Sequence, residues 1–170
     1  MRTLLLALLI MITSGISAAT LIDPDNEQNG LAGQVDDQGK KQGRWIYLGK
    51  HKPEKGYAAE SKIEEGDYKD DRKEGQWINY YKSGSIMAKR NFVNGTIKGD
   101  FEKLSKDGIV LKKGTIDKTK GGYQKKLEMN YPDGTPKYRG QYNESGKEHG
   151  DIVKYHPNGV PSLKYNMNEG

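Results

Sequence analysis

Cysteine is absent from this chain of 170 residues. No disulfide framework can staple it, no thiol chemistry is available, and attachment through a bacterial lipobox is excluded. Apolar residues are also scarce, at 33%, with two Phe and two Trp. Ordinary globular domains reach roughly 45–50% by a count that also includes Gly. A deep single core is therefore not expected, and a thin repeat protein whose units pack mainly on their neighbours fits better.

Histidine occurs three times, at His51, His149 and His156, without an HExxH motif or a His/Cys cluster. No metal site and no cofactor follow from that pattern. Charge of one sign is not concentrated either: 28 basic residues face 23 acidic ones, interleaved as in Lys69-Asp70-Asp71-Arg72-Lys73-Glu74. This reads as solvated surface, and no nucleic-acid partner is expected. The adjacent carboxylates Asp36-Asp37, Glu64-Glu65 and Asp70-Asp71 would point to opposite faces of a strand, which suits two-carboxylate catalysis poorly. No phosphate-cradling loop opens a helix. Catalysis is not expected.

The one long apolar run is Leu4 to Ile12, behind Arg2. Ser17-Ala18-Ala19 then offers a signal-peptidase site, so residues 1–19 are read as a signal peptide cleaved before Thr20. The run is short for a membrane span of about 20 residues. The protein is expected to be exported, periplasmic or secreted. Residues 20–35, rich in Asp, Asn and Gly, read as a flexible leader, and 36–170 as the folded domain.

What is plentiful is glycine, with 22 residues. Gly84, Gly108, Gly134 and Gly159 recur at near-constant intervals, as do Gly95, Gly121, Gly146 and Gly170. Two interleaved ladders of one period indicate a repeated supersecondary unit. Its clearest copy is Gly75-Gln76-Trp77-Ile78-Asn79-Tyr80-Tyr81-Lys82-Ser83-Gly84. Further copies start at Gly99, Lys125 and Gly150, and Gly43 opens a degraded first one. Only the copy at Lys125 lacks the opening glycine. The third position is always large and apolar: Trp45, Trp77, Phe101, Leu127 and Ile152.

Each glycine from 84 to 159 ends a Ser-Gly, Asp-Gly or Asn-Gly pair, which predicts tight hairpin turns with looser links between units. Second apolar segments follow at Ile86 to Val93, Ile109 to Ile116, Tyr138 to Tyr142 and Val160 to Tyr165, with Lys62 to Tyr68 in the same class. Pro136 and Pro161 belong at strand starts or edges. The extra length around Lys50 to Lys62 reads as a surface loop. The predicted fold is all-β: an elongated antiparallel meander of about five β-hairpins. Trp77 and Tyr80 lie three apart, so either a bulge or apolar content on both faces is required.

Glycine, aromatic, tyrosine pair and Asn/Asp-Gly turn, as in GQWINYYKSG and GDIVKYHPNG, resemble the bacterial variant of the MORN repeat found in YwqK-type antitoxin components. The resemblance covers residues 36–170. It implies an elongated sheet of hairpins without known catalytic residues, and an antitoxin- or immunity-like role. The pair Tyr80-Tyr81 becomes Leu104-Ser105, Asn130-Tyr131 and Tyr155-His156 in the other copies.

Tyr47, Trp77, Tyr80, Tyr81, Tyr131 and Tyr155 recur along the predicted sheet and form the candidate binding face. The other reading of these residues is that they make the thin core itself. The expected function is a non-enzymatic scaffold that binds another protein. The alternative is an envelope module for glycan, peptidoglycan or lipid headgroups, motivated by the repeated Tyr, Trp and Lys.

Overall fold

The computed structural model describes residues 33–118 and 122–167. The expected signal peptide, most of the leader, and two ladder glycines, Gly121 and Gly170, lie outside them. Among the described residues, eleven strands form one antiparallel sheet in simple sequential order. They are β1 (Gln34–Val35), β2 (Lys41–Leu48), β3 (Lys62–Lys69), β4 (Arg72–Tyr80), β5 (Ile86–Val93), β6 (Thr96–Leu104), β7 (Val110–Lys118), β8 (Tyr123–Asn130), β9 (Pro136–Tyr142), β10 (Glu148–Tyr155) and β11 (Pro161–Met167). At about 4.8 Å per strand the sheet extends roughly 48 Å across its ladder, against about 27 Å along an eight-residue strand. The predicted all-β meander of five hairpins is the architecture observed, and Pro136 and Pro161 each begin a strand. Gln34 and Val35, read as the end of the leader, pair with Gln42 and Lys41 instead.

The turns reverse the expectation at several places. The ladder glycines close five-residue loops: Tyr81 N–H donates to Ser85 C=O at 2.8 Å and Gly84 N–H to Tyr81 C=O at 2.9 Å. Equivalent bonds close the loops at Ser105, Tyr131 and His156. Positive φ falls on the glycine alone there. In two of these loops the preceding side chain serves as an acceptor, Asp133 for Thr135 N–H at 2.9 Å and Asn158 for Val160 N–H at 3.1 Å. Tight two-residue turns form two of the inter-unit links, Asp70-Asp71 and Asn94-Gly95, with φ of 50°, 63°, 51° and 78°, whereas the link from Asn143 to Lys147 is again a five-residue loop. Both residues of such a turn need the left-handed region, which Asp, Asn and Gly tolerate.

The opening glycines have a different task. Between β3 and β4 the register passes from Glu65↔Ile78 to Asp67↔Glu74, so Gly75-Gln76-Trp77 bulges opposite Gly66. The same shift recurs at Lys98-Gly99-Asp100 and at Gly150-Asp151-Ile152. Where Lys125 replaces glycine, β7 and β8 pair without a register shift. A left-handed residue is what such a bulge requires, and its absence leaves a plain ladder.

The core is thin, and its aromatic part lies on one face. Trp45 and Trp77 are 1% exposed and Ile152 is fully buried. Trp45 faces Gly66, Phe101 faces Gly114 and Leu127 faces Gly140 across the ladder. The rings of Trp45 and Trp77 lie on Gly33 and Gly66, Phe101 lies against Gly114 and Ile152 against Gly140, where an added Cβ would come within 2.5, 2.3, 3.1 and 2.7 Å of them. This third ladder, Gly66, Gly114 and Gly140, is interrupted by Arg90 and Tyr165. The loop from Gly49 to Ser61 holds two short 3-10 turns and seats Gly49 against the Ala58 carbonyl, where a Cβ would lie at 2.1 Å.

Candidate binding face

The six expected residues do not form one row. Tyr47 and Trp77 belong to the core. They are members of an aromatic chain running Tyr47, Trp45, Tyr68, Trp77, Phe92, with ring centroids 5.0–6.4 Å apart and mostly edge-to-face. Tyr80 lies on the opposite face, where its hydroxyl bonds the Glu65 carboxylate. Burial and that carboxylate push the Tyr80 phenol up to about 12. Apolar content on both faces is thus how Trp77 and Tyr80 coexist. Tyr155 follows Val153 on the Tyr80 side, with the Arg139 guanidinium 6.0 Å from its ring.

Tyr81 and Tyr131 are staples between hairpins. Their hydroxyls donate to the carbonyls of Leu104 at 2.7 Å and Tyr155 at 3.0 Å, the last strand residues of the next unit. Tyr57 does the same for Tyr80 C=O at 2.7 Å. Sequence reasoning missed Tyr57, although it sits 24 residues before Tyr81, because the long first unit hid its register.

A charged cluster crowns the aromatic chain. Lys73 Nζ lies 3.7 Å from the centre of the Trp77 ring and Lys52 Nζ 4.2 Å from that of Tyr47. Both ammonium groups bond Glu64, at 3.0 and 2.6 Å. Burial pushes the Glu64 carboxyl up, but these two lysines outweigh it and hold it at about 2. A depressed carboxyl stabilises the fold above its unfolded value, and that contribution is lost as pH falls toward 2. Glu64→Gln is expected to lower unfolding free energy by about 2 kcal/mol at pH 7, allowing for partial solvent screening. The difference from wild type should shrink between pH 5 and 2, as urea denaturation across that range will read out.

Charge is sorted by face in a way alternation conceals. Cross-strand pairing puts Lys41, Lys73, Arg90, Lys103, Lys112, Lys118, Lys125 and Lys154 on the tryptophan side, against Glu64 and Glu148. The other strand carboxylates, including Glu65, Asp67, Glu74, Asp100, Glu102 and Glu128, lie on the opposite side. There they form ion pairs such as Lys89–Glu102 at 3.4 Å and Lys113–Glu128 at 3.5 Å.

The tryptophan side opens into a groove at its middle. Three rows cross β6 to β9: Lys103, Lys112, Met129, Tyr138; then Phe101, Gly114, Leu127, Gly140; then Gly99, Ile116, Lys125, Tyr142. In the first hairpins the middle row is filled by Trp45 and Trp77. Here the third-position residue shrinks to Phe101 and Leu127, which with Ile116 form the floor of an open cavity. The resulting cavity measures about 710 Å³ and is bounded by Arg90, Ile97 and the β9–β10 turn at Glu144 to Gly146. A depression of about 470 Å³ on the reverse side is lined by mixed charges such as Lys89, Glu102, Lys113 and Glu128.

Among the described residues, no group of three or more His, Asp or Glu side chains could hold a metal. No family model matches the chain, and no curated protein or solved structure matches it.

Proposed function

We propose that the protein is an exported, non-enzymatic MORN-like repeat scaffold that binds another protein through the tryptophan face of its sheet. The single observation that carries this reading is the uncovered middle of that face. A sheet normally buries its apolar side against a second layer, whereas here Phe101, Ile116 and Leu127 stay partly exposed around an open cavity. An extended face of this kind is how repeat proteins engage their partners. The role is immunity-like: the scaffold holds a partner in the cell envelope without altering it chemically. Affinity capture from envelope extract with the mature chain tests the reading. A specific protein partner retained at physiological salt is the expected outcome, and recovery of none contradicts it.

A further inference from the structure

The central groove contains a feature that the scaffold role does not by itself explain. Lys103 and Lys112 are direct cross-strand partners on one face, a placement that like charges disfavour. Lys125 faces them from the far bank, beyond the row of Phe101, Gly114 and Leu127. Within the described residues, none of the three ammonium groups has an ion-pair or hydrogen-bond partner. This contrasts with Lys52 and Lys73, neutralised by Glu64 in the core, and with the paired lysines of the reverse face. Three cations without a bonded partner thus rim an open apolar floor, with Glu144 of the β9–β10 turn at its end.

We propose that this groove docks an acidic, extended segment of a partner polypeptide, a proposal that rests on the protein-binding reading above. The floor takes apolar side chains from alternate residues, and the lysine banks take the carboxylates between them. The dimensions fit. From Arg90 on β5 to Tyr142 on β9 is four strand spacings, roughly 19 Å, the reach of about six extended residues. The shape also favours a chain over a bilayer, because the β9–β10 turn walls one end and a flat surface would not reach the floor. Basic residues here speed encounter and select sign, while the floor supplies the apolar contact.

The test is fluorescence anisotropy with a labelled octapeptide of alternating glutamate and leucine, alongside an alternating lysine–leucine peptide and phosphatidylglycerol vesicles. The mature protein is expected to bind the acidic peptide and not the basic one. Combined Lys103→Glu, Lys112→Glu and Lys125→Glu should weaken that binding by about tenfold or more. Combined Lys98→Glu, Lys126→Glu and Lys164→Glu changes charge equally through exposed side chains of the reverse face and should leave it within about twofold. Equal loss in both variants, or no discrimination between the peptides, overturns the proposal. So does vesicle binding that the first variant abolishes while peptide binding persists. Circular dichroism checks folding; if the triple variant unfolds, Lys112→Met alone should still weaken peptide binding about threefold. Failure here with a specific partner still captured would reject the groove and leave the scaffold reading intact. Loss of the captured partner only in the reverse-face variant would reject the face itself.

Discussion

Trp77→Ala is expected to lower unfolding free energy by about 4 kcal/mol, near the top of the range for emptying a buried aromatic site. The size of the effect follows from how few side chains make the core. Trp77 is 1% exposed, packs edge-to-face with Tyr68 and Phe92 and lies under the Lys73 ammonium. Its indole N–H donates to Asp67 C=O at 3.0 Å, across the bulge that Gly75 permits. Alanine removes all four interactions, and with no second layer among the described residues little can collapse into the space. Because each hairpin packs mainly on its neighbours, the damage should be graded along the ladder. Hydrogen exchange is expected to accelerate most in β2 to β5 and least in β9 to β11. Urea denaturation followed by circular dichroism gives the total loss; a change below about 1 kcal/mol would mean that the indole is not a core element.

Gly66→Ala is expected to cost about 3 kcal/mol, although it adds a single methyl group. That Cβ would lie 2.3 Å from the Trp77 ring, well inside contact distance. The ring cannot yield, since Tyr68 and Phe92 flank it and its N–H is tied to the backbone. The effect must therefore depend on Trp77. In a Trp77→Ala background the same substitution should cost less than about 1 kcal/mol, a coupling of about 2 kcal/mol between the two sites. Additive costs would show that Gly66 is required for some reason other than the indole lying on it.

The fold was largely legible in the sequence because turns and large apolar residues recur in register. The two ladders, the third positions from Trp45 to Ile152 and the prolines at 136 and 161 placed five hairpins correctly. Turn chemistry was read in reverse everywhere but at the looser link from Asn143 to Lys147. Asp133 and Asn158 suggested two-residue turns but act as hydrogen-bond acceptors inside longer loops, while Asp70-Asp71 supplies a tight turn without glycine. The glycines facing the aromatics were hidden because Arg90 and Tyr165 break their period.

The binding face was less legible, for two physical reasons. Tyrosine repetition does not distinguish a side chain that is exposed from one that staples backbone, and Tyr81 and Tyr131 are staples. Charge interleaved along the chain also looks balanced, yet strand alternation sends Lys103, Lys112 and Lys125 to one side and Asp100, Glu102 and Glu128 to the other. One signal was available: the third-position side chain shrinks from Trp77 to Phe101 to Leu127, and the groove opens where it does.

Lysine-reactivity mapping of the protein with its captured partner tests the central claim most directly. An amine-reactive reagent is applied to the free and bound states, and modification at each lysine is quantified by mass spectrometry. The tryptophan face predicts that Lys103, Lys112 and Lys125 lose reactivity in the complex while Lys98, Lys126 and Lys164 keep theirs. Protection of the second set with the first unchanged would place the partner on the opposite side of the sheet and contradict the account.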